Sequence, residues 1–117
     1  MGISYVGAGT ESGVVHAATT PGLPGSLAEG DLLVLVDGAV SRSGTVATPG
    51  TPSGWSQKST HSSALLNVGW ARLTWMYAWW TAGMSAPTVS YSGVATDTHW
   101  SQIFAARGAV AAGDPTD

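Results

Sequence analysis

The sequence predicts an all-β fold, an antiparallel β-sandwich of the jelly-roll-like kind, in a single domain covering residues 1–117. Glycine supplies 16 of the 117 residues, against a usual share of about 7%. Charged residues make up 9%, far below the typical value of about 25%, and Gly, Ser, Thr and Ala take their place. This composition suits short strands joined by turns, and it is poor material for solvated helices, which carry Glu, Lys and Arg.

The N-terminal residues predict two short strands. Residues 3–6 alternate in polarity and are rich in β-formers, and a second strand is expected over residues 14–18. Between them, Gly7, Gly9 and Gly13 are similar to a dinucleotide-binding fingerprint. The third glycine comes one residue late, however, and the residues after it are too few and too β-like for the helix that caps the phosphates. We therefore interpret the glycines as a flexible connection between two strands.

The clearest strand signal lies at residues 32–36, where five consecutive apolar residues follow a Glu-Gly-Asp turn. Such a run is typical of a strand covered on both faces, and we expect either its leucines at 33 and 35 or its valines at 34 and 36 in the core. Asp37 and Gly38 carry turn chemistry and are expected to end the strand. The segments at 21–25 and 41–53 are rich in Pro, Gly, Ser and Thr and are expected to be loops.

Residues 65–80 fit two structures. As a helix, the segment places five residues on one stripe: Leu66, Trp70, Leu73, Tyr77 and Trp80. As a strand, residues 72–80 place four residues on one face: Leu73, Trp75, Tyr77 and Trp79. We choose the strand because aromatic residues and Thr favour it and because Gly69 argues against one long helix. We expect the row with the three aromatic residues to face the core.

The remaining segments complete a set of seven or eight strands at roughly even spacing. A short element is expected at residues 54–57, a strand at 88–92 after a turn at 82–87, and a last strand at 99–106. Strands near the two chain ends, at 3–6 and 99–106, are expected to be exposed edges, which are templates for pairing with another chain.

Composition also excludes several classes of function. The net charge is −3 and only four residues are basic, so the cations that neutralise nucleic-acid phosphates are missing. No run of 18 apolar residues occurs, and we expect no membrane span. Because the chain has no cysteine, neither disulfides nor a Cys-ligated zinc site can stabilise it.

We predict no catalytic, cofactor-binding or metal-binding residue, and no enzyme activity. His16, His61 and His99 are not spaced as local metal ligands, and each is expected on the surface or on an edge strand. Neither a G-x-S-x-G elbow nor an S-x-x-K motif is present. Most of the seven carboxylates lie in predicted turns, where Asp and Glu make local backbone hydrogen bonds.

The six tryptophans are the main candidates for contact residues. Low charge combined with many Trp residues indicates that a partner covers part of the surface. We assign Trp75 and Trp79 to the core. We predict that Trp70, Trp80 and Trp100 contact a neighbouring subunit or a ligand.

Short hydrophobic motifs follow one another in order along the chain. They are GDLLVLV at 30–36, PSGW at 52–55, MYAWWTAG at 76–83, APTVSY at 86–91 and IFAARG at 103–108. In this order the motifs resemble β-sandwich domains of bacteriophage virion proteins, notably tail-associated and capsid-surface proteins. The resemblance spans roughly residues 3–108. It implies a non-enzymatic particle component and carries over no catalytic residue.

The resemblance therefore implies a virion structural protein, in the tail or on the capsid surface, that assembles with other virion proteins. Such domains usually continue past the last Arg-Gly with further strands, so this chain is expected to be either a compact version or a domain completed by its neighbours. Together with the low charge, this predicts a homo-oligomer, with a trimer favoured by the habits of phage proteins. The alternative is a carbohydrate- or host-receptor-binding module that uses exposed Trp, with a host-surface glycan as ligand.

Overall fold

Eight strands in two antiparallel sheets make up the structure, a computed structural model that describes residues 2–15, 17–42, 46–65, 69–92, 98–109 and 115. The strands are β1 Ser4–Ala8, β2 Ser12–Val15, β3 Leu32–Ser41, β4 Thr48–Pro49, β5 Ser56–Leu65, β6 Gly69–Trp79, β7 Tyr91–Ser92 and β8 Thr98–Arg107. The described residues contain no helix, and hence none that could cross a membrane. The predicted all-β, antiparallel class is confirmed.

The larger sheet has six strands, in the order β1-β8-β3-β6-β5, and β2 continues the β1 side by pairing with the other half of β8. Every pair in this sheet is antiparallel. Because β8 lies between β1 and β3, the expectation that the last strand is an exposed edge was wrong. The outer strands are β1 and β2 on one side and β5 on the other.

The central strand β3 is twice as long as the sequence predicted. It runs through Asp37 and Gly38 to Ser41 and pairs with β6 and β8 along its length. Turn chemistry did not end it, because ladder pairing on both sides satisfies the backbone and the Asp37 side chain finds a partner in Tyr91. Leu33 and Leu35 are both 0% exposed, which confirms the leucines of this run as core residues.

The β5–β6 hairpin confirms the choice of strand for the ambiguous segment and corrects which of its faces is inside. Thr74, Met76 and Ala78 are buried, whereas Trp75, Tyr77 and Trp79 are half-buried on the opposite face. The expected aromatic core row is therefore wrong. The sequence also gave no signal for most of β5, since a run of Ser, Thr and Lys lacks the apolar alternation of a half-buried strand.

One face of the six-stranded sheet, called the closed face here, is covered by the two-stranded β4–β7 sheet and its flanking segments. Val89, which forms an isolated bridge with Thr19, is 0% exposed in the core with Ile103 and Met76. Trp55 packs into the same cluster. The closed face and these covering segments therefore enclose the hydrophobic core.

An ion pair between buried Asp31 and half-exposed Arg107 fixes the chain segment that enters β3. Asp31, only 1% exposed, accepts hydrogen bonds from Arg107 Nε at 2.8 Å and Nη2 at 2.7 Å. Asp31 Oδ2 also accepts the backbone N–H of Ala28 at 2.8 Å, which is the kind of local turn contact that the sequence predicts. The hydrogen bonds from Arg107 lower the pKa of Asp31. The last residue of β8 thereby holds the start of β3.

Candidate functional site

The second face of the six-stranded sheet, called the open face here, presents a broad array of apolar side chains. Strand β3 alternates along its whole length between residues buried on the closed face and half-buried or exposed residues on the open face. Strands β6 and β8 follow the same alternation over their inner lengths. No described residue on the open face is buried. The segments that cover the core thus leave this face uncovered, as far as the structure describes the chain.

Eight residues at one end of the open face form what we call the aromatic patch: Leu32, Val34, Val36, Trp75, Tyr77, Trp79, Phe104 and Ala106. They are neighbours across β6, β3 and β8 because the register pairs Val34 with both Tyr77 and Phe104. The ring centroids of Trp75 and Tyr77 lie 6.5 Å apart, and the two ring planes make an angle of 48°. None of the eight is charged, and the position opposite Val36 on β8 is taken by polar Gln102, whose amide donates to the Gly9 carbonyl at 3.0 Å.

The size of the aromatic patch can be estimated from sheet geometry. Strands lie about 4.8 Å apart, and residues on the same face of a strand repeat about every 6.6 Å. Three rows of side chains across three strands therefore cover roughly 300 Å² of sheet. The largest apolar patch on a typical soluble monomer has about this size and is often functional.

The structure places the three predicted contact residues in different surroundings. Trp70, at the start of β6, is 37% exposed and shares the side of the sheet that carries Thr74. Trp80 packs against the core from just beyond β6, and its indole N–H is buried without a hydrogen-bond partner among the described residues. Trp100 is half-buried on the open face. The three tryptophans do not form one surface, and only Trp100 lies on the open face.

The residues of the aromatic patch were assigned to the core or left unassigned by the sequence. Both parities of residues 32–36 are apolar, so this run does not show which face is covered. Polar residues in β3 and its two neighbours pointed to the wrong face, because Asp37, Thr74 and Ser101 share the leucine parity and form a cross-strand row. Polar side chains are buried at low cost only when they have hydrogen-bond partners. The sequence does not show those partners, so it could not identify this parity as the inner one.

No protein-family model matches the chain, and neither a curated protein nor a solved structure matches it. The function is therefore inferred from the geometry of the molecule.

A second cluster of functional groups is buried beneath β7 on the closed face. Tyr91 donates a hydrogen bond to Asp37, and its hydroxyl lies 3.0 Å from that of Thr19. Ser101 donates to Thr19 at 2.7 Å. The Tyr91 ring stacks on His99 with centroids 3.7 Å apart and an angle of 11°. This network joins the two-stranded sheet to the centre of the large one.

Burial dominates the electrostatics of this cluster. It raises the pKa of Asp37 to about 6, although the hydrogen bond from Tyr91 acts in the opposite direction. Burial and the neighbouring Asp37 also raise the pKa of Tyr91. Ser101 and Thr19 are both 0% exposed, so neither hydroxyl can reach a substrate in this arrangement. The cluster acts as a structural connection rather than as a nucleophile and its base.

The histidines give mixed outcomes. His61 is exposed on the edge strand β5, as predicted, with Nε2 3.3 Å from the Ser59 hydroxyl. His99 is only 3% exposed, so its predicted surface position is wrong, and stacking on Tyr91 explains its burial. His16 lies outside the described residues. No three His, Asp or Glu side chains in the described ranges are grouped to hold a metal ion.

Proposed function

We propose that this chain is a non-enzymatic structural component of a phage virion, in the tail or on the capsid surface, that acts by protein–protein assembly. The observation that carries the proposal is the aromatic patch, an uncharged surface of eight residues of which none is buried. Aromatic residues are enriched and charged residues depleted at the centre of protein interfaces. The phage context rests on the resemblance of the motifs between residues 30 and 108.

The occupant that best fits the aromatic patch is a second copy of the chain. Two patches of roughly 300 Å² would together bury about 600 Å², less than the roughly 1,000 Å² of a specific interface, so the contact would also take in neighbouring open-face residues such as Tyr5, which pairs with Ala106. A flat apolar face meets a matching surface in its own copy, and the absence of charge on the patch removes like-charge repulsion between identical faces. Packing around a two-fold axis gives a dimer, so stoichiometry separates this arrangement from the trimer favoured by the resemblance.

The jelly-roll-like sandwich belongs to the same proposal. The β4–β7 sheet lies over the closed face in the position that a second sheet takes in a sandwich.

Sedimentation velocity of the purified chain at micromolar concentration tests the assembly surface. We expect the wild type to sediment as an oligomer and Phe104→Arg, which places a charge in the centre of the aromatic patch, to sediment as a monomer. Ser85→Arg is the matched control, because Ser85 is exposed in the segment after β6, and it should leave the oligomer intact. Tyr5→Arg is a second variant should Phe104→Arg fail to fold, because Tyr5 pairs with Ala106 at the margin of the aromatic patch and is 69% exposed.

A folded wild-type monomer at micromolar concentration would contradict the proposal. An oligomer unaffected by either patch variant would place the interface elsewhere and contradict the role of the aromatic patch. Circular dichroism on every variant separates loss of assembly from loss of folding.

Antibody labelling of purified particles tests the location in the virion. We expect labelled sites at the tail or on the capsid surface in electron micrographs. Particles that carry no copy of the chain would refute the virion assignment while leaving the self-association result unchanged.

A further inference from the structure

The open face carries a groove at the end away from Trp79. Gly38 forms its floor in the middle of β3, and Trp100 on β8 and Leu73 on β6 flank it, since both pair directly with Gly38. His61 on β5 extends the Leu73 side. The cavity has a volume of about 630 Å³, within the range of small-molecule sites. The absence of a side chain at position 38 creates the depression.

The indole of Trp100 is held across this groove by its surroundings. A Cβ built on Gly13 would lie 3.8 Å from its Cδ1 atom, and one built on Gly38 would lie 3.9 Å from its Cε3 atom. One edge of the indole therefore lies near Gly13 on β2 and the other edge near Gly38 on β3, the two strands that flank β8. The indole N–H donates a hydrogen bond to Glu11 Oε2 at 2.8 Å, which fixes the orientation of the ring. A ring fixed in advance loses little conformational entropy when a ligand stacks on it.

We propose that this groove binds a neutral sugar ring, stacked on the Trp100 indole and seated over Gly38. A sugar presents apolar C–H groups on its ring faces and hydroxyl groups around its rim. The groove offers the matching chemistry, because apolar Trp100 and Leu73 form its sides and polar His61 and Thr98 lie among its lining residues. A few polar groups around an apolar pocket give a ligand its orientation.

The charges around the groove favour a neutral ligand over a phosphate or another anion. Arg72 is the cation among the lining residues, and its guanidinium already donates to the Ala47 carbonyl at 3.2 Å and to the Thr48 hydroxyl. The carboxylate of Glu11 sits beside the indole N–H and would repel an anion. A neutral glycan therefore fits this chemistry better than a nucleotide or a sugar phosphate.

The groove and the aromatic patch occupy opposite ends of the open face, so the sugar site does not depend on the proposed function. The cross-strand rows that contain Val34 and Val36 belong to the patch. The next row along β3 contains Gly38 with its partners Leu73 and Trp100, and it belongs to the groove. A particle protein could assemble with one end and hold a glycan with the other.

NMR titration of the Trp100 indole N–H tests the proposal, with the resonance assigned by its loss in Trp100→Phe. The probes are the methyl glycosides of glucose, galactose, mannose and N-acetylglucosamine, added to about 20 mM because one stacked ring binds in the millimolar range. We expect at least one glycoside to move this resonance to saturation. Glucose 6-phosphate should bind more weakly than methyl glucoside, because Glu11 repels its charge.

Gly38→Val adds a side chain at the floor of the groove, and the Cβ of that side chain meets no atom closer than 3.9 Å. We expect this variant to weaken sugar binding at least about tenfold, which is about 1.4 kcal/mol. Gly38→Ala is the milder second variant, and Gly7→Val, where a Cβ would meet nothing within 4 Å, is the control that should bind as the wild type does.

Three results would overturn the proposal. They are no movement of the Trp100 resonance with any of the four glycosides, equal binding by both Gly38 variants and the wild type, and tighter binding of glucose 6-phosphate than of methyl glucoside. The last result would identify an anion site instead.

Discussion

Asp37 shows how a single residue sets the pH dependence of this fold. It lies in the centre of β3 with 1% exposure, opposite Thr74 and Ser101, and receives a hydrogen bond from Tyr91. Burial raises its pKa from 3.8 to about 6. The folded protein therefore binds a proton at this residue that the unfolded chain has released between about pH 4 and 6.

We predict that the free energy of unfolding decreases as the pH rises from about 4 to 7. The stabilisation from protonated Asp37 is fully present below pH 3.8 and is lost as the pH passes about 6. A difference of this size corresponds to about 3 kcal/mol. In Asp37→Asn the side chain stays neutral at every pH and can still accept from Tyr91, so this decrease should disappear. Urea unfolding at several pH values measures both curves.

The control for this prediction is Asp31, whose pKa is lowered by Arg107. Its stabilisation is present above pH 3.8 and is lost as the pH falls through its lower folded-state pKa, so it acts in a different pH range and with the opposite sign. Equal slopes for wild type and Asp37→Asn between pH 4 and 7 would show that Asp37 does not carry the effect.

The break between β1 and β2 contains a position, Gly9, that requires glycine. The backbone N–H of Gly9 donates to the Ile103 carbonyl at 2.8 Å, which keeps the break attached to β8. A Cβ on Gly9 would lie 1.8 Å from the Gly22 carbonyl oxygen. The neighbouring Thr10 carbonyl accepts the N–H of Gly22 at 2.9 Å, so the two segments cannot separate without losing this bond.

We predict that Gly9→Ala lowers the free energy of unfolding by about 1–3 kcal/mol or more, because the backbones of both segments must shift. Gly7→Ala is the matched control in the same region, since a Cβ there meets nothing within 4 Å, and it should change stability little. Thermal denaturation of the two variants decides the point. Similar melting temperatures would mean that the close approach of Gly9 to Gly22 is not maintained.

The two faces of the sheet are expected to differ in their response to truncation. Leu35→Ala removes a side chain that is 0% exposed and should cost about 2–5 kcal/mol, because it leaves a cavity. Leu73→Ala removes one that is 56% exposed and should cost about 0.5 kcal/mol or less. Comparable losses in urea unfolding would show that the open face is covered within the chain.

At the scale of the whole molecule, sheet order predicts where the backbone is most stable. Strands β3 and β8 each have neighbours on both sides, whereas β5 pairs only with β6 among the described strands. Amide hydrogen exchange should therefore be slowest in β3 and β8 and clearly faster at the outer edge of β5. Exchange in β5 as slow as in β3 would contradict its position as an edge.

The amino-acid sequence by itself determined the class of structure and several of its strands. Abundant Gly, Ser and Thr, sparse charge and short alternating segments indicate β-structure because they suit pleated strands and turns. The strand at 99–106 was predicted close to its observed position, and the hydrophobic run at 32–36 marked the first half of β3. Trp100 lies at the groove on the open face, and its role as a contact residue stays a prediction.

Tertiary structure alone decided which face of the sheet is inside. Both parities of β3 are apolar, so local sequence favours neither. The choice depends on the segment carrying Val89 and Tyr91, which reaches the closed face from more than fifty residues away and pairs its hydroxyl with Asp37. That contact buries the residues of β6 that lie on the same face as Met76 and leaves Trp75 and Tyr77 on the open face. The aromatic patch exists because long-range packing, which no local pattern encodes, covered the other face.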